Sequence, residues 1–148
     1  MEAWNASGTE LRVGIVEDEK DLARIYEMIM AKMGVPVSFV AYNGADAVAR
    51  FRDSDPKPQV ILMDNRLPSM SGVEATRSIL VIRPETRIIF LSADVAARDE
   101  ALEAGAAAFI SKPARMSDII GAVESARNST SAARRHQHPF GNEIAGSW

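Results

Sequence analysis

The stretch Val60-Ile61-Leu62-Met63-Asp64-Asn65-Arg66-Leu67-Pro68 reads as a short buried strand that ends in a lone carboxylate and then turns. An unbroken apolar run of this length suits a strand covered on both faces. Three other runs have the same form. Val13-Gly14-Ile15-Val16 ends in Glu17-Asp18-Glu19, Ile88-Ile89-Phe90-Leu91 ends in Ser92, and Ala107-Ala108-Phe109-Ile110 ends in Ser111-Lys112-Pro113. Buried strands that each deliver polar groups at their C-terminal ends point to one polar site, centred on Asp64.

The segments between these runs carry helical spacing. Leu22, Ile25, Tyr26, Ile29 and Met33 predict an amphipathic helix after the first strand (Leu11 to Glu17), stopped by Gly34. Val37 to Ala41 is a second strand, and Asn43 caps a helix through Phe51 with Ala47, Val48 and Phe51 facing inward. Ser71-Gly72-Val73-Glu74 is a capping box that opens the helix after Val60–Met63, and Pro84 closes that helix. Arg87 to Leu91 is a strand, Val95 to Ala104 an Ala-rich helix ended by Gly105, and Ala107 to Ile110 the fifth strand. Met116 to Arg127 is the last helix, with Ile119, Ile120 and Val123 facing in.

Strands alternating with helices over short connections predict a single α/β domain, a (βα)5 doubly wound parallel sheet. Ligands of such sheets bind beyond the carboxyl ends of the strands, where the polar residues fall. Residues 1–9 read as a flexible leader, 10–128 as the domain and 129–148 as a tail with no output domain.

Composition excludes several classes. The 148 residues are 47% hydrophobic and 25% charged, values of a globular chain. A formal charge of −3 gives no basic excess for nucleic acid. Cysteine is absent, which removes disulfides, thiolate nucleophiles and Cys–zinc sites. The apolar runs are too short to span a bilayer, and the N-terminus has no secretory h-region, so a cytoplasmic location without membrane partners is expected.

Glu17, Asp18 and Asp64 offer carboxylates with no histidine or cysteine beside them, a donor set that suits Mg²⁺. A carboxylate beside such an ion can attack a phosphoryl group and become an aspartyl phosphate. Lys112, a point charge on a flexible stem, can reach a phosphoryl oxygen. Ser92 and nearby backbone N–H groups can take the others.

These landmarks together resemble the receiver domain of two-component response regulators. The resemblance covers roughly residues 10–128 and rests on Glu17-Asp18, Met63-Asp64 with Leu67-Pro68-Ser69-Met70-Ser71-Gly72, Ser92-Ala93, Ala104-Gly105-Ala106 and Lys112-Pro113. It implies the flavodoxin-like (CheY-like) strand order 2-1-3-4-5. It implies that Asp64 accepts a phosphoryl group from a sensor histidine kinase, with a histidine phosphotransfer protein as another partner. It assigns Mg²⁺ to Glu17, Asp18, Asp64 and the backbone carbonyl of Arg66. Ser92 and Lys112 then bind the phosphoryl oxygens, Pro113 follows a cis peptide, and Ser92 and Phe109 form the switch. The message passes by contact of the fourth helix, fifth strand and fifth helix with a protein target, or with a second copy in a homodimer. No turnover of an external substrate is implied.

Arg66 and Asp94 occupy the places that overlook the phosphoryl group in this family and tune its lifetime. An ion pair between them across the entrance would restrict attacking water; two solvated charges would do little. Two other readings compete. Phosphohydrolases of the haloacid dehalogenase type also place Asp at a strand end, but need a second acid where this chain has Arg66. A receiver fold used only as an unphosphorylated interaction module would not need the intact carboxylate set.

Overall fold

The computed structural model describes residues 10–135, with side chains through residue 128. Five strands, β1 (Val13–Val16), β2 (Val37–Ala41), β3 (Val60–Asp64), β4 (Arg87–Ser92) and β5 (Ala108–Ser111), form one parallel sheet in the order β2-β1-β3-β4-β5. The helices are α1 (Lys20–Met33), α2 (Gly44–Asp53), α3 (Gly72–Ile82), α4 (Arg98–Ala104) and α5 (Met116–Arg135). The expected strand order is therefore the observed one.

The central strands split their apolar residues between two cores by simple alternation. Val13 and Ile15 of β1, Val60 and Leu62 of β3, and Ile89 and Leu91 of β4 pack with α1 and α5. Val16, Ile61, Met63, Ile88 and Phe90 point the other way, toward α2, α3 and α4. Burial on both faces is why these runs read as continuous rather than alternating hydrophobicity.

Local signals place the helices. The Asn43 side chain accepts from the Asp46 amide at 2.7 Å and starts α2. The Ser71–Glu74 capping box is formed in both directions, at 3.1 Å each way. Three expectations shift. Ile25 is 50% exposed, because the inward stripe of α1 runs through Ala23, Tyr26, Ile29 and Met30. The helix expected from Val95 to Ala104 begins as a 3-10 turn, Val95–Ala97, capped by Asp94. The last helix continues past Arg127 to Arg135, into the segment read as tail. Ala126 is the last buried residue of the helix among those whose side chains are described, and no helix breaker occurs after it until Pro139. The leader over 1–9 and the tail over 136–148 lie outside the described residues. Among the described residues no helix is long and apolar enough to cross a membrane.

Candidate functional site

Strand register builds the site. Val16 of β1 pairs with Met63 of β3, so Glu17 follows β1 beside Asp64, the last residue of β3. The Glu17 amide donates to the Ala41 carbonyl at 3.0 Å, which extends the β1–β2 ladder to the carboxylate. Asp64 pairs with Leu91, and Ser92 with Ser111. The Lys112 amide donates to the Ser92 carbonyl at 3.0 Å and brings the lysine over the end of β4. The Lys112–Pro113 peptide is cis.

Side chains then converge. Carboxylate oxygens of Glu17, Asp18 and Asp64 lie within 4.8 Å of one another. Glu17 is 1% exposed and Asp64 7%, whereas Asp18 is exposed. The Lys112 ammonium donates to Glu17 Oε1 at 2.9 Å and to Asp64 Oδ1 at 3.4 Å. Asp64 Oδ1 also accepts from the Asn65 amide at 2.8 Å, and Glu17 Oε2 from the Glu19 amide at 3.2 Å. Ser92, nearly buried, accepts from the Asp94 amide at 3.0 Å, which leaves its O–H to donate.

The electrostatics mark a place short of positive charge. Burial pushes Glu17 up to about 6, against the Lys112 hydrogen bond that lowers it and with Asp64 raising it. Burial also raises Asp64, with Lys112 opposing. Burial would lower Lys112, but its hydrogen bond to Glu17 and the charge of Asp64 leave it above its ordinary value. One ammonium thus serves two buried carboxylates. A donor set of three carboxylates with no nitrogen or sulfur ligand fits a hard divalent cation.

A consequence for stability can be measured. A carboxyl held above its unfolded value stabilises the fold fully below that value and loses this as pH rises through about 6. With the divalent ion chelated, wild-type stability should fall more between pH 4.5 and 6.5 than that of Glu17→Gln, by up to about 2 kcal/mol. Urea unfolding across this range checks it, and parallel curves would show that Glu17 titrates normally.

The other residues singled out in the sequence lie around this row. Phe109 is half-buried and stacks on Phe90, centroids 6.4 Å apart and planes 14° apart. Arg66 and Asp94 are not joined by an ion pair among the described residues, so of the two readings given for them it is that of separate charges that the arrangement follows. The Asp94 carboxylate is engaged instead as a cap, accepting from the Ala96 amide at 3.0 Å, while Arg66 is exposed. Sequence reasoning gave no role to two neighbours. Asn65 accepts from the Gly72 amide on its carbonyl at 2.9 Å and from the Val73 amide on Oδ1 at 3.3 Å, tying the start of α3 to the end of β3. Tyr26, buried on α1, is raised by burial and then by the charges of Glu17 and Asp64, which places it close to the acidic cluster. Tyr26 and Lys112 share the wall of an apolar cavity of about 460 Å³ that Ile25, Pro113 and Met116 help to line. Only helical periodicity pointed to Tyr26, and that signal does not separate core from site.

A five-stranded parallel sheet in this order, with buried carboxylates and a lysine at the strand ends, defines a receiver-type signalling domain. The family model of the response regulator receiver domain matches residues 13–124. The chain is similar to chemotaxis protein CheY of Thermotoga maritima, 36% identical over 114 residues that cover 76% of this chain and 93% of that one. Among solved structures it is similar to a chain of the CheX–CheY–BeF3–Mg²⁺ complex from Borrelia burgdorferi, with TM-score 0.75, 25% identity, and coverage of 80% and 90%. It is also similar to the receiver domain of a sensor histidine kinase from Pseudomonas aeruginosa PAO1 with magnesium in its active-site cleft, with TM-score 0.72, 27% identity, and coverage of 80% and 98%. The chain belongs to the response regulator receiver family, the phospho-accepting side of two-component signalling.

Proposed function

We propose that Asp64 accepts the phosphoryl group of a phosphohistidine on a sensor kinase or histidine phosphotransfer protein, in a Mg²⁺-dependent step. The observation that carries this is the buried Glu17–Asp64 pair bridged by Lys112 at the strand ends. A carboxylate oxygen of Asp64 attacks phosphorus, the phosphorus–nitrogen bond breaks, and the imidazole leaves with its electron pair. The Asn65 amide and Lys112 hold the carboxylate in orientation. Lys112 then follows the charge onto the new phosphoryl oxygens, and the free Ser92 O–H donates to another. Glu17, Asp18, Asp64 and the Arg66 carbonyl would hold the ion, which supplies charge shielding for the phosphoryl oxygens when bound.

The signal would leave through α4, β5 and α5. Support comes from Ser92 at the end of β4 and Phe109 on the adjacent β5, paired with Phe90, and from Val95 and Leu102, 63% and 40% exposed near that face. Ser92 drawn toward the phosphoryl group would shift the 3-10 turn it holds through the Asp94 amide. The packing of Phe109 on Phe90 would change with it. A protein target, or a second copy, would read the difference. A cytoplasmic location fits this role.

Incubation with a small acyl phosphate tests the reaction without a kinase. The protein should gain one phosphoryl group with Mg²⁺ present, and about a hundredfold more slowly with chelator. Equal labelling in both would remove the ion from the account.

A further inference from the structure

The segment Arg66–Leu67, next to the acceptor, is held from both ends, and only one end belongs to β3 and α3. At the near end Asn65 takes the Gly72 and Val73 amides. At the far end the loop is fastened to the start of α2. The Gly44 amide donates to the Pro68 carbonyl at 3.3 Å, and the Ala45 amide to Ser69 Oγ at 3.3 Å. Ser69 Oγ in turn donates to Asn43 Oδ1 at 3.3 Å, the same oxygen that caps α2 at 2.7 Å from the Asp46 amide. Backbones touch here as well, because a Cβ on Gly44 would lie against the Met70 carbonyl.

Ser69 is unusual for its backbone. It has φ +67°, the one positive φ on a non-glycine among the described residues. Glycine adopts that conformation without strain. A serine there sets a strained backbone against the two hydrogen bonds of its hydroxyl.

We propose that Ser69 and Asn43 are positioning residues for the acceptor site: their link to α2 fixes the loop after Asp64, and with it the Arg66 carbonyl. This rests on the acceptor reading above. Arg66 cannot hold its own carbonyl in place, since its side chain is exposed. The two fastenings on either side leave Arg66 and Leu67 little freedom, so the carbonyl is set before any ion arrives.

Three full-chain variants separate positioning from mere stability. Ser69→Ala removes the hydroxyl at the same backbone strain. Ser69→Gly removes it and relieves the strain. Asn43→Asp keeps both acceptor roles of position 43. Mg²⁺ affinity is read from the rise in melting temperature on titration with the metal, and phosphorylation from acyl phosphate labelling. Ser69→Gly should unfold at or above the wild-type denaturant midpoint, yet bind Mg²⁺ and take the phosphoryl group roughly fivefold more weakly and slowly, as Ser69→Ala does. Asn43→Asp should match the wild type in both. Serine variants within about twofold of wild type on both readouts would overturn the proposal. A wild type that neither binds Mg²⁺ nor takes the phosphoryl group would overturn the acceptor reading itself, and this inference with it.

Discussion

Asp64→Asn is expected to take up no phosphoryl group, a loss on the order of 10³-fold or more in rate, while folding as well as the wild type. The amide has the shape of the carboxylate but not its nucleophilic oxygen. Lys112 keeps its 2.9 Å bond to Glu17, and the Asn65 amide can still donate to the side-chain oxygen at position 64. Burial holds Asp64 above its ordinary value, so its charge weighs against the metal-free fold at neutral pH. Removing that charge also relieves Glu17. The denaturant midpoint of Asp64→Asn at pH 7, with chelator, should therefore be at or above that of the wild type. Inactivity joined to undiminished stability separates a chemical role from a structural one. Phosphoryl uptake by this variant at a wild-type rate would place the acceptor elsewhere.

The largest expected effect on stability comes from Gly72→Ala. Gly72 is the first residue of α3, and its amide donates to the Asn65 carbonyl at 2.9 Å. A Cβ there would lie on the Asp64 carbonyl oxygen and 2.8 Å from Asn65 Cα. Both are backbone atoms at the end of β3, so neither can swing aside. Alanine is the better helix former by about 1 kcal/mol, but a backbone collision outweighs that preference. The variant should lose about 3 kcal/mol, because α3 must move off β3 and drag Asn65 with it. Gly121→Ala on α5 is the control. A Cβ there meets nothing within 4 Å, so the gain in helix propensity should stand, up to about 1 kcal/mol of stabilisation. Denaturant midpoints of the pair should move in opposite directions. A Gly72→Ala midpoint equal to wild type would mean that the close approach of α3 to the acceptor strand is not real.

Much of the fold was legible because the strands are short, apolar and punctuated. Val60–Met63 and Val37–Ala41 could be bounded to within a residue, since Asp64, Asn43 and the Pro36 turn mark their limits. Capping signals worked for the same reason: Asn43 and Ser71 act locally, and their partners are three residues away. Errors arose where long-range packing decides. Ile25 fits the helical stripe of α1 as well as Ala23 or Met30 does, and only the position of α5 settles which of them is covered. The last helix runs on to Arg135 because no Gly or Pro follows Gly121 until Pro139 to stop it.

For the site, the sequence indicated which residues gather but not what each touches. That Glu17, Asp64 and Lys112 meet follows from strand order. That Asp94 engages the Ala96 amide, and not Arg66, depends on a local turn whose alternatives look alike in sequence. The fastening of Ser69 to Asn43 joins residues 26 apart, and no spacing rule foretells it.

The central claim is that the acceptor atom belongs to Asp64. Labelling the protein with an acyl phosphate and Mg²⁺, then reducing it with borohydride, converts an aspartyl phosphate to homoserine. Peptide sequencing should find homoserine at position 64, and unmodified residues at Glu17, Asp18 and Ser92. Homoserine absent from position 64, with a phosphate ester retained on Ser92 or a carboxyl reduced to an alcohol at Glu17 or Asp18 instead, would contradict the account.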